Sequence, residues 1–375
     1  MNNSEADPIH PCPTEDDYKY LVYTVVYTIV FFGGLLFNGV AVYVFCMVRK
    51  KKGHSTICLL NLAVADLVFI VFLPLRITYY YKDGTWIFGD ILCRLTTFSF
   101  YCSMYSSIFF MACLSIFRYK SVVHTETIKV KTARKVCAAI WVFTGLSTTP
   151  FLLSGISVRQ NATRCFEPAV MSAWQRVMYM NYYALVVGFI LPFLAIIVCN
   201  GLLIKHIVTI PMEKKTIRKQ VTMIVLILLV CCVCFLPYHI QRTVHLHYLL
   251  YHPDICTLHG VLQKTVVTTL CLAVLNTCLD PLLYVFVGHG YKAWLQLLCM
   301  PKMAANVKSS STATSGMQEA IVEEIPMNEN GQMSSNEQNN VTLICFNRNP
   351  TEPQPVAQDP LLACDPIVCD SPQAL

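Results

Sequence analysis

Seven long apolar blocks dominate the sequence and restrict the folds open to it. They cover approximately residues 20–48, 57–80, 93–117, 136–157, 180–207, 220–248 and 262–287. A helix needs about 20 apolar residues to cross the roughly 30 Å of hydrocarbon in a bilayer, and every block has that length. Only helices and closed barrels satisfy their backbone hydrogen bonds in lipid. The sequence therefore predicts an all-α membrane protein, a seven-transmembrane helix bundle over 20–287.

The segments outside the bundle differ from it in composition. Residues 1–19 are acidic and lack the apolar core of a signal peptide, so the first helix is expected to direct insertion itself. Residues 288–300 have apolar side chains near helical spacing, which predicts a short amphipathic eighth helix on the membrane surface, with Cys299 as a palmitoylation site. Residues 301–375 are polar and predict a disordered tail, whose serines and threonines at 309–315 would recruit arrestin once phosphorylated.

Positive charges indicate the orientation of the chain. Lys and Arg are concentrated in alternate connections, near 49–52, 120–135 and 205–219, whereas the other connections are poor in them. Basic loops stay on the cytoplasmic side. We therefore expect an extracellular N-terminus and a cytoplasmic C-terminus. The net charge of +6 is then typical of loops that face anionic lipid and a protein partner, not nucleic acid.

Four of the 19 cysteines fall on the predicted extracellular side: Cys12, Cys93, Cys165 and Cys256. An oxidising environment allows two disulfides between them, and the spacing alone permits three pairings. Most other cysteines lie within the apolar blocks and are expected to be small core residues. On the same extracellular side, Asn161 begins an Asn-Ala-Thr motif that predicts glycosylation.

Polar residues inside the apolar blocks are costly and are therefore functional candidates. Asn38, Asp66, Asn276 and Asp280 lie well within their blocks. Two ionised carboxylates cannot face lipid, so they must share protons, water or a cation. One interpretation is a hydrogen-bonded cluster that holds helices together. The other, which does not exclude the first, is a sodium site formed by Asp66, Ser107, Asn276 and Asp280, the one cofactor that the sequence suggests.

Short motifs recur along the blocks in a characteristic order: Gly33 to Asn38 with Gly39, NLAVAD at 61–66, Cys93, Trp141, Pro150, Pro192, CFLP at 234–237 and DPLLY at 280–284. Over about 20–299 the chain resembles the rhodopsin-like (class A) G-protein-coupled receptors of the plasma membrane. The resemblance implies a Cys93–Cys165 disulfide, which leaves Cys12 to pair with Cys256. It also implies that Arg118 contacts a G protein and that Tyr284 belongs to the activation segment of the seventh helix.

Four further segments, at 73–90, 150–168, 181–193 and 237–249, resemble the cysteinyl leukotriene receptors, most of all their type-one subtype. This resemblance implies a lipid-derived acidic ligand and signalling through Gq-family proteins, phospholipase C and calcium. The wider branch, which shares His239-x-x-Arg242, includes purinergic receptors for nucleotides. A nucleotide or another small anion is therefore the alternative ligand, and a channel or transporter lined by Asp66 and Asp280 is the alternative outside this class.

Local chemistry also favours an anionic ligand. Cations stand near the predicted outer ends of the second, sixth and seventh helices, with aromatic residues close to them in sequence. The guanidinium fork of arginine matches carboxylates and phosphates alike. The alternative is that these cations extend to lipid headgroups and the tyrosines pack at the interface. The predicted ligand-binding residues are Arg76, Tyr79, Tyr101, Tyr238, His239, Arg242 and Lys264.

Some residues exclude other ligands or depart from the family pattern. Val274 replaces the lysine that retinal binding needs, and Phe100 replaces the aspartate of amine receptors. No catalytic motif is evident, so we expect no enzyme. The departures concern the activation switch: they are Phe117 in place of an acid before Arg118, Phe235, Cys231 and Asn200.

Overall fold

The computed structural model describes residues 17–48, 53–153, 155–159, 162–166, 171–211, 213–252 and 256–287. Several predictions fall outside the described residues. They are the segment before residue 17, the surface helix at 288–300 with Cys299, the tail at 301–375, the Asn161 acceptor, and the side chains of Cys12 and Cys256.

Within this described part, seven helices are long and apolar enough to span a membrane, as predicted. The first four are α1, Asp17–Tyr43 with a π-helical end at Val44–Val48; α2, His54–Tyr81; α3, Gly89–Val123; and α4, Val130–Thr148, with a 3₁₀ turn at Thr149–Leu153. The last three are α5, formed by Met171–Tyr183, Ala184–Ile190 and Leu191–Thr209; α6, formed by Lys214–Leu229, Val230–Phe235 and Leu236–Tyr251; and α7, formed by Cys256–Leu279 and Pro281–Val287.

Wide π-helical turns precede the prolines of α5 and α6. Ala184–Ile190 comes directly before the segment that contains Pro192, and Val230–Phe235 directly before the one that contains Pro237. Proline lacks an N–H group and its ring crowds the carbonyl four residues earlier, so the regular hydrogen bonding of the preceding turn is lost. Backbone hydrogen bonding is therefore weakened in both helices at a point near the middle of the bundle, called the weak point of each helix.

The helices extend past the apolar blocks that predict them. α3 begins at Gly89 instead of 93, and α6 at Lys214 instead of 220. The length of an apolar block matches the thickness of the hydrocarbon layer, but helical hydrogen bonding continues into the polar residues beyond that layer. The predicted end of the fourth block at 157 is wrong. Pro150 cannot continue the hydrogen bonding of α4, and helical structure there ends at Leu153.

The packing is that of a bundle in lipid. α3 is the central helix and packs against α2, α4 and α5, while α7 packs against α1 and α6. Large side chains such as Phe110 and Ile108 are fully buried inside. On the outside, Val71 is 70% exposed and Val208 is 81% exposed. A ring of exposed apolar residues is expected in lipid and not in water, which agrees with the predicted seven-transmembrane bundle.

A disulfide between Cys93 and Cys165 marks one end of the bundle, the disulfide end, and it is the pairing that the family resemblance implies. A pair of antiparallel strands, β1 (Ser157–Arg159) and β2 (Ala162–Arg164), lies at this end. The backbone N–H of Trp86 donates to a β2 carbonyl at 2.8 Å. The strand pair is thus fastened to the connection between α2 and α3. The other end of the bundle, where α3 leads into α4, is called the opposite end.

Candidate functional site

Toward the disulfide end, α2, α3 and α6 surround a chamber with cationic and aromatic walls. Arg76 comes from α2, Tyr101 from α3, and Tyr238, His239 and Arg242 from α6. The three residues of α6 lie within about one helical turn, so they can share one face. Arg76 lies on the ring of Phe100, whose centroid is 5.0 Å from that of Tyr101. Arg242 lies over the rings of Tyr101 and Tyr238. The structure thus brings together five of the seven predicted ligand-binding residues.

Arg76 is a buried cation, with only 4% of its surface exposed. Its guanidinium carbon lies 4.7 Å from the ring centroid of Phe100 and 4.2 Å from that of Phe166. The ring faces attract the cation. Its Nε nevertheless has no acceptor, and no carboxylate among the described residues pairs with it. A buried charge without a counter-ion is costly, and an incoming anion would remove that cost.

Arg242 enters the chamber from α6 and is only partly exposed. Its guanidinium carbon lies 5.3 Å from the ring centroid of Tyr101 and 5.9 Å from that of Tyr238. The Tyr101 ring is in turn stacked on Phe151, with centroids 3.7 Å apart. As with Arg76, no carboxylate in the described part of the chain pairs with Arg242. The chamber therefore holds two positive charges and is suited to an anion.

His239 contributes a buried acceptor. Its Nδ1 lies 2.9 Å from the carbonyl oxygen of Phe235, and a carbonyl can only accept, so Nδ1 is the donor. In the neutral ring Nε2 is then an acceptor, and it has no partner among the described residues. The ring is stacked on Phe189, with centroids 4.5 Å apart, which fixes its orientation. The chamber can thus accept one hydrogen bond from a ligand as well as bind its negative charge.

The remaining two predicted ligand-binding residues lie differently. Tyr79 is buried in an aromatic cluster, with its ring 6.0 Å from Trp86 and 5.4 Å from Phe166. It therefore supports the ring on which Arg76 lies. Lys264 is exposed on α7. No hydrogen bond, ion pair or ring contact joins its side chain to the chamber within the described residues, so its role as a ligand contact stays a prediction.

An apolar groove of about 430 Å³ lies beside the chamber, between α3, α4 and α5. Its walls include Tyr105, Phe109, Phe143, Phe151, Tyr183 and Gly188. Two of these residues also border the chamber: Phe151 stacks on Tyr101, and the Tyr105 ring lies 5.9 Å from that of His239. Gly188 allows Tyr105 to approach α5, because a Cβ there would come within 2.7 Å of the ring. The groove and the chamber thus share walls.

A second polar cluster lies deeper, about 15 Å along α2 from Arg76. Asp66, Ser107, Asn276 and Asp280 are all buried, and Asn276 Nδ2 donates to Asp280 Oδ2 at 3.4 Å. Both oxygens of Asp66, Ser107 Oγ and Asp280 Oδ1 have no hydrogen-bond partner in the described chain. Unsatisfied oxygens of this kind fit a small hard cation.

Comparison with known proteins identifies the family. Residues 37–284 match the family described as 7 transmembrane receptor (rhodopsin family). The chain belongs to this receptor family. The receptor is 41% identical to cysteinyl leukotriene receptor 1 of Sus scrofa, over 75% of this chain and 85% of that protein. It is 37% identical to cysteinyl leukotriene receptor 2 of Mus musculus, over 76% and 93%, and 35% identical to lysophosphatidic acid receptor 6 of Gallus gallus, over 73% and 92%.

Membership in this family makes the chain a G-protein-coupled receptor and a multi-pass membrane protein, not an enzyme. Its Arg118, near the opposite end of α3, is buried and held by α6. The guanidinium donates through Nε to Gln220 Oε1 at 3.2 Å and through Nη2 to the Gln220 carbonyl at 2.9 Å, with a further short contact between Nη2 and Oε1. Phe117 cannot restrain Arg118 as an acid would, and Gln220 provides a restraint from another helix instead.

Several residues that border the chamber were not identified from the sequence. Phe166 was detectable, because it follows the disulfide residue Cys165 directly and is therefore tied to the end of α3. Tyr105 was also detectable, since it stands four residues after Tyr101 and so on the same helical face. Nothing in the sequence indicated that Phe151 would stack on Tyr101, because the two are brought together only by the packing of α3 against the end of α4.

Proposed function

We propose that the receptor binds a cysteinyl leukotriene, a lipid-derived acid, in the chamber, and signals mainly through Gq-family proteins to phospholipase C and calcium. The proposal rests mainly on one observation: the chamber, which contains two arginines without carboxylate partners, shares a wall with an apolar groove. A leukotriene combines carboxylates with a long hydrocarbon chain. Arginine forks bind the former, and an apolar groove buries the latter. Similarity to the cysteinyl leukotriene receptors, type 1 above all, supports the same ligand class.

A nucleotide or another small anion is the competing ligand, because Arg76 and Arg242 could equally bind phosphate. A nucleotide has no long apolar chain, so it would use the arginines and leave the groove of about 430 Å³ beside them unfilled. The apolar walls of that groove, Phe109 and Phe143 among them, favour the lipid acid.

The orientation that we propose puts the disulfide end outside the cell and the opposite end in the cytoplasm, at the plasma membrane. It is supported by the exposed basic residues at the opposite end, which include Lys131, Arg134 and Lys135 on α4 and Lys214 and Lys215 on α6. The G protein would then approach Arg118, and arrestin would bind the phosphorylated cytoplasmic tail.

Cells that express the receptor are expected to release calcium in response to a cysteinyl leukotriene and not to nucleotides or simple dicarboxylates. Only the leukotriene can occupy both the arginines and the groove. The measurement is a calcium-release screen with all three ligand classes, with untransfected cells as the control and a Gq inhibitor to test the signalling route. A response to nucleotides alone would support the purinergic alternative.

We also propose that sodium binds Asp66, Ser107, Asn276 and Asp280 in the inactive receptor. Replacing sodium with a bulky organic cation is then expected to strengthen agonist binding by about fivefold or more, because a ligand that prefers one state shifts the population toward it. Agonist competition against a labelled antagonist measures the effect, and Asp66→Asn should abolish it. If agonist affinity is indifferent to the exchange, the cluster is only structural.

A further inference from the structure

The disulfide-end half of α6 is fastened to both neighbouring helices by side-chain hydrogen bonds. Asn181 Nδ2 of α5 donates to Thr243 Oγ1 of α6 at 2.8 Å. On the other flank, Gln241 Nε2 of α6 donates to Thr265 Oγ1 of α7 at 2.6 Å and to the Leu262 carbonyl at 3.1 Å. The four residues Asn181, Gln241, Thr243 and Thr265 are called the α6 clamp.

The α6 clamp brackets Arg242. Gln241 and Thr243 are its two neighbours in sequence, and successive residues of a helix point about 100° apart. One tie therefore leaves α6 on each side of the direction in which Arg242 projects. Ties on both flanks restrain rotation of α6 about its own axis, which a single tie would not do.

The clamp hydrogen bonds also have a fixed direction. The hydroxyl of Thr243 donates to the His239 carbonyl at 2.8 Å. That of Thr265 donates within α7, to the carbonyls of Leu262 at 2.9 Å and Val261 at 3.1 Å. Each hydroxyl proton is thus engaged within its own helix, and the hydroxyl oxygen is left to accept from an amide. The amides of Asn181 and Gln241 are the only groups of each pair that can donate across, so each pair has one arrangement.

We propose that the α6 clamp is the positioning device for Arg242. It sets the rotation of α6 so that the guanidinium stays near Tyr101 and Tyr238, where it meets the anion of the ligand; to that extent the inference rests on the proposed function. A guanidinium fork recognises a carboxylate over a narrow range of directions, so a small rotation of α6 lowers affinity. The clamp residues position Arg242 without touching the ligand. Because they lie on the disulfide-end side of Pro237, the other half of α6 can move while Arg242 stays in place.

Substitutions can remove the clamp with little disturbance elsewhere. Asn181→Leu and Gln241→Met together delete both amide donors at similar side-chain volume. No buried donor is left without an acceptor, because both threonine hydroxyls still donate within their own helices. Thr243→Ser keeps the accepting hydroxyl and is the conservative variant. Ser106→Ala removes a 2.8 Å hydrogen bond between α3 and α4 and controls for the loss of an interhelical bond in general.

Binding of a labelled cysteinyl leukotriene to membranes provides the first readout. The double variant is expected to bind about tenfold more weakly than the wild type, whereas Thr243→Ser and Ser106→Ala stay near it. On an Arg242→Ala background the same two substitutions should cause no further loss, because no guanidinium remains to be misplaced. An equal loss on both backgrounds would overturn the proposal and make the clamp a purely structural contact.

A second readout needs no ligand. The thiol introduced by Arg242→Cys can be modified by a water-soluble methanethiosulfonate reagent and followed on its own peptide by mass spectrometry. Asn181→Leu with Gln241→Met is expected to change the modification rate severalfold. If the wild type does not bind leukotriene while the rate still changes, the proposed function fails and the clamp stands. An unchanged rate would refute the clamp, whatever the ligand is.

Discussion

Arg76→Ala and Arg242→Ala are each expected to weaken binding of a cysteinyl leukotriene by roughly 30-fold to several thousand-fold. Truncating one partner of a buried charge pair leaves the other unpaired, which typically costs about 2–5 kcal/mol. Both guanidinium groups lie on aromatic rings and pair with no carboxylate in the described chain, so we expect the ligand to supply their counter-ion. Competition binding on membranes with matched surface expression measures the loss, and the calcium response should shift in parallel.

Two further variants sharpen this prediction. Arg242→Lys should restore binding only partly, because a point charge does not reproduce a two-pronged fork. Arg176→Ala removes an exposed arginine of α5 outside the chamber and should leave binding unchanged. If Arg76→Ala and Arg242→Ala respond normally to leukotriene while a nucleotide response disappears, the ligand is a nucleotide.

Arg118→Ala is expected to abolish calcium signalling while ligand affinity stays within a few fold. Arg118 lies far from the chamber along α3, and its guanidinium is bound to Gln220 of α6. Opening of the receptor would swing the opposite-end half of α6 about the weak point at Pro237, which breaks this contact and frees Arg118 for the G protein. Calcium release and labelled-ligand binding should be measured on the same cells, so that expression is controlled.

The matched control for this prediction is Gln220→Ala. This variant removes the hydrogen bonds between α6 and Arg118 but leaves the arginine itself in place. That variant should still signal, whereas Arg118→Ala should not. Retained signalling by Arg118→Ala at normal expression would refute the role assigned to the arginine. Loss of signalling in both variants would instead show that the contact between α3 and α6 is needed for the fold of this end.

The fold was largely predictable because each membrane-spanning helix needs an apolar block about as long as the hydrocarbon layer is thick, and such blocks are visible in the sequence. What the blocks could not give is the point at which each helix ends. Lys214 continues the helical hydrogen bonding of α6 although it is not apolar, and Pro150 stops that of α4 inside a block. Both effects depend on the hydrogen bonding of single backbone groups, which average hydropathy does not register.

The candidate site was predictable where it depends on charge and not where it depends on packing. Arg76 and Arg242 stand out because cations are costly within apolar blocks. Phe151, which stacks on Tyr101, comes from the turn after α4, and only the folded chain brings it near. The Gln220 contact was equally hidden, since a glutamine at the polar end of a helix is unremarkable in sequence. Contacts between distant segments are set by tertiary packing, which a local pattern does not encode.

Competition binding with a ligand whose carboxylates are esterified tests directly whether the arginines recognise its charge. The cysteinyl leukotriene and its ester would compete with a labelled ligand on the wild type and on Arg242→Ala. If Arg242 pairs with a carboxylate, esterification should weaken binding to the wild type by at least the factor that Arg242→Ala costs the free acid, because it also removes the charge that Arg76 would bind. The ratio of acid affinity to ester affinity should be smaller on Arg242→Ala than on the wild type. An ester that binds the wild type as tightly as the acid would contradict the proposed function, because Arg76 and Arg242 would then not be recognising the ligand's charge.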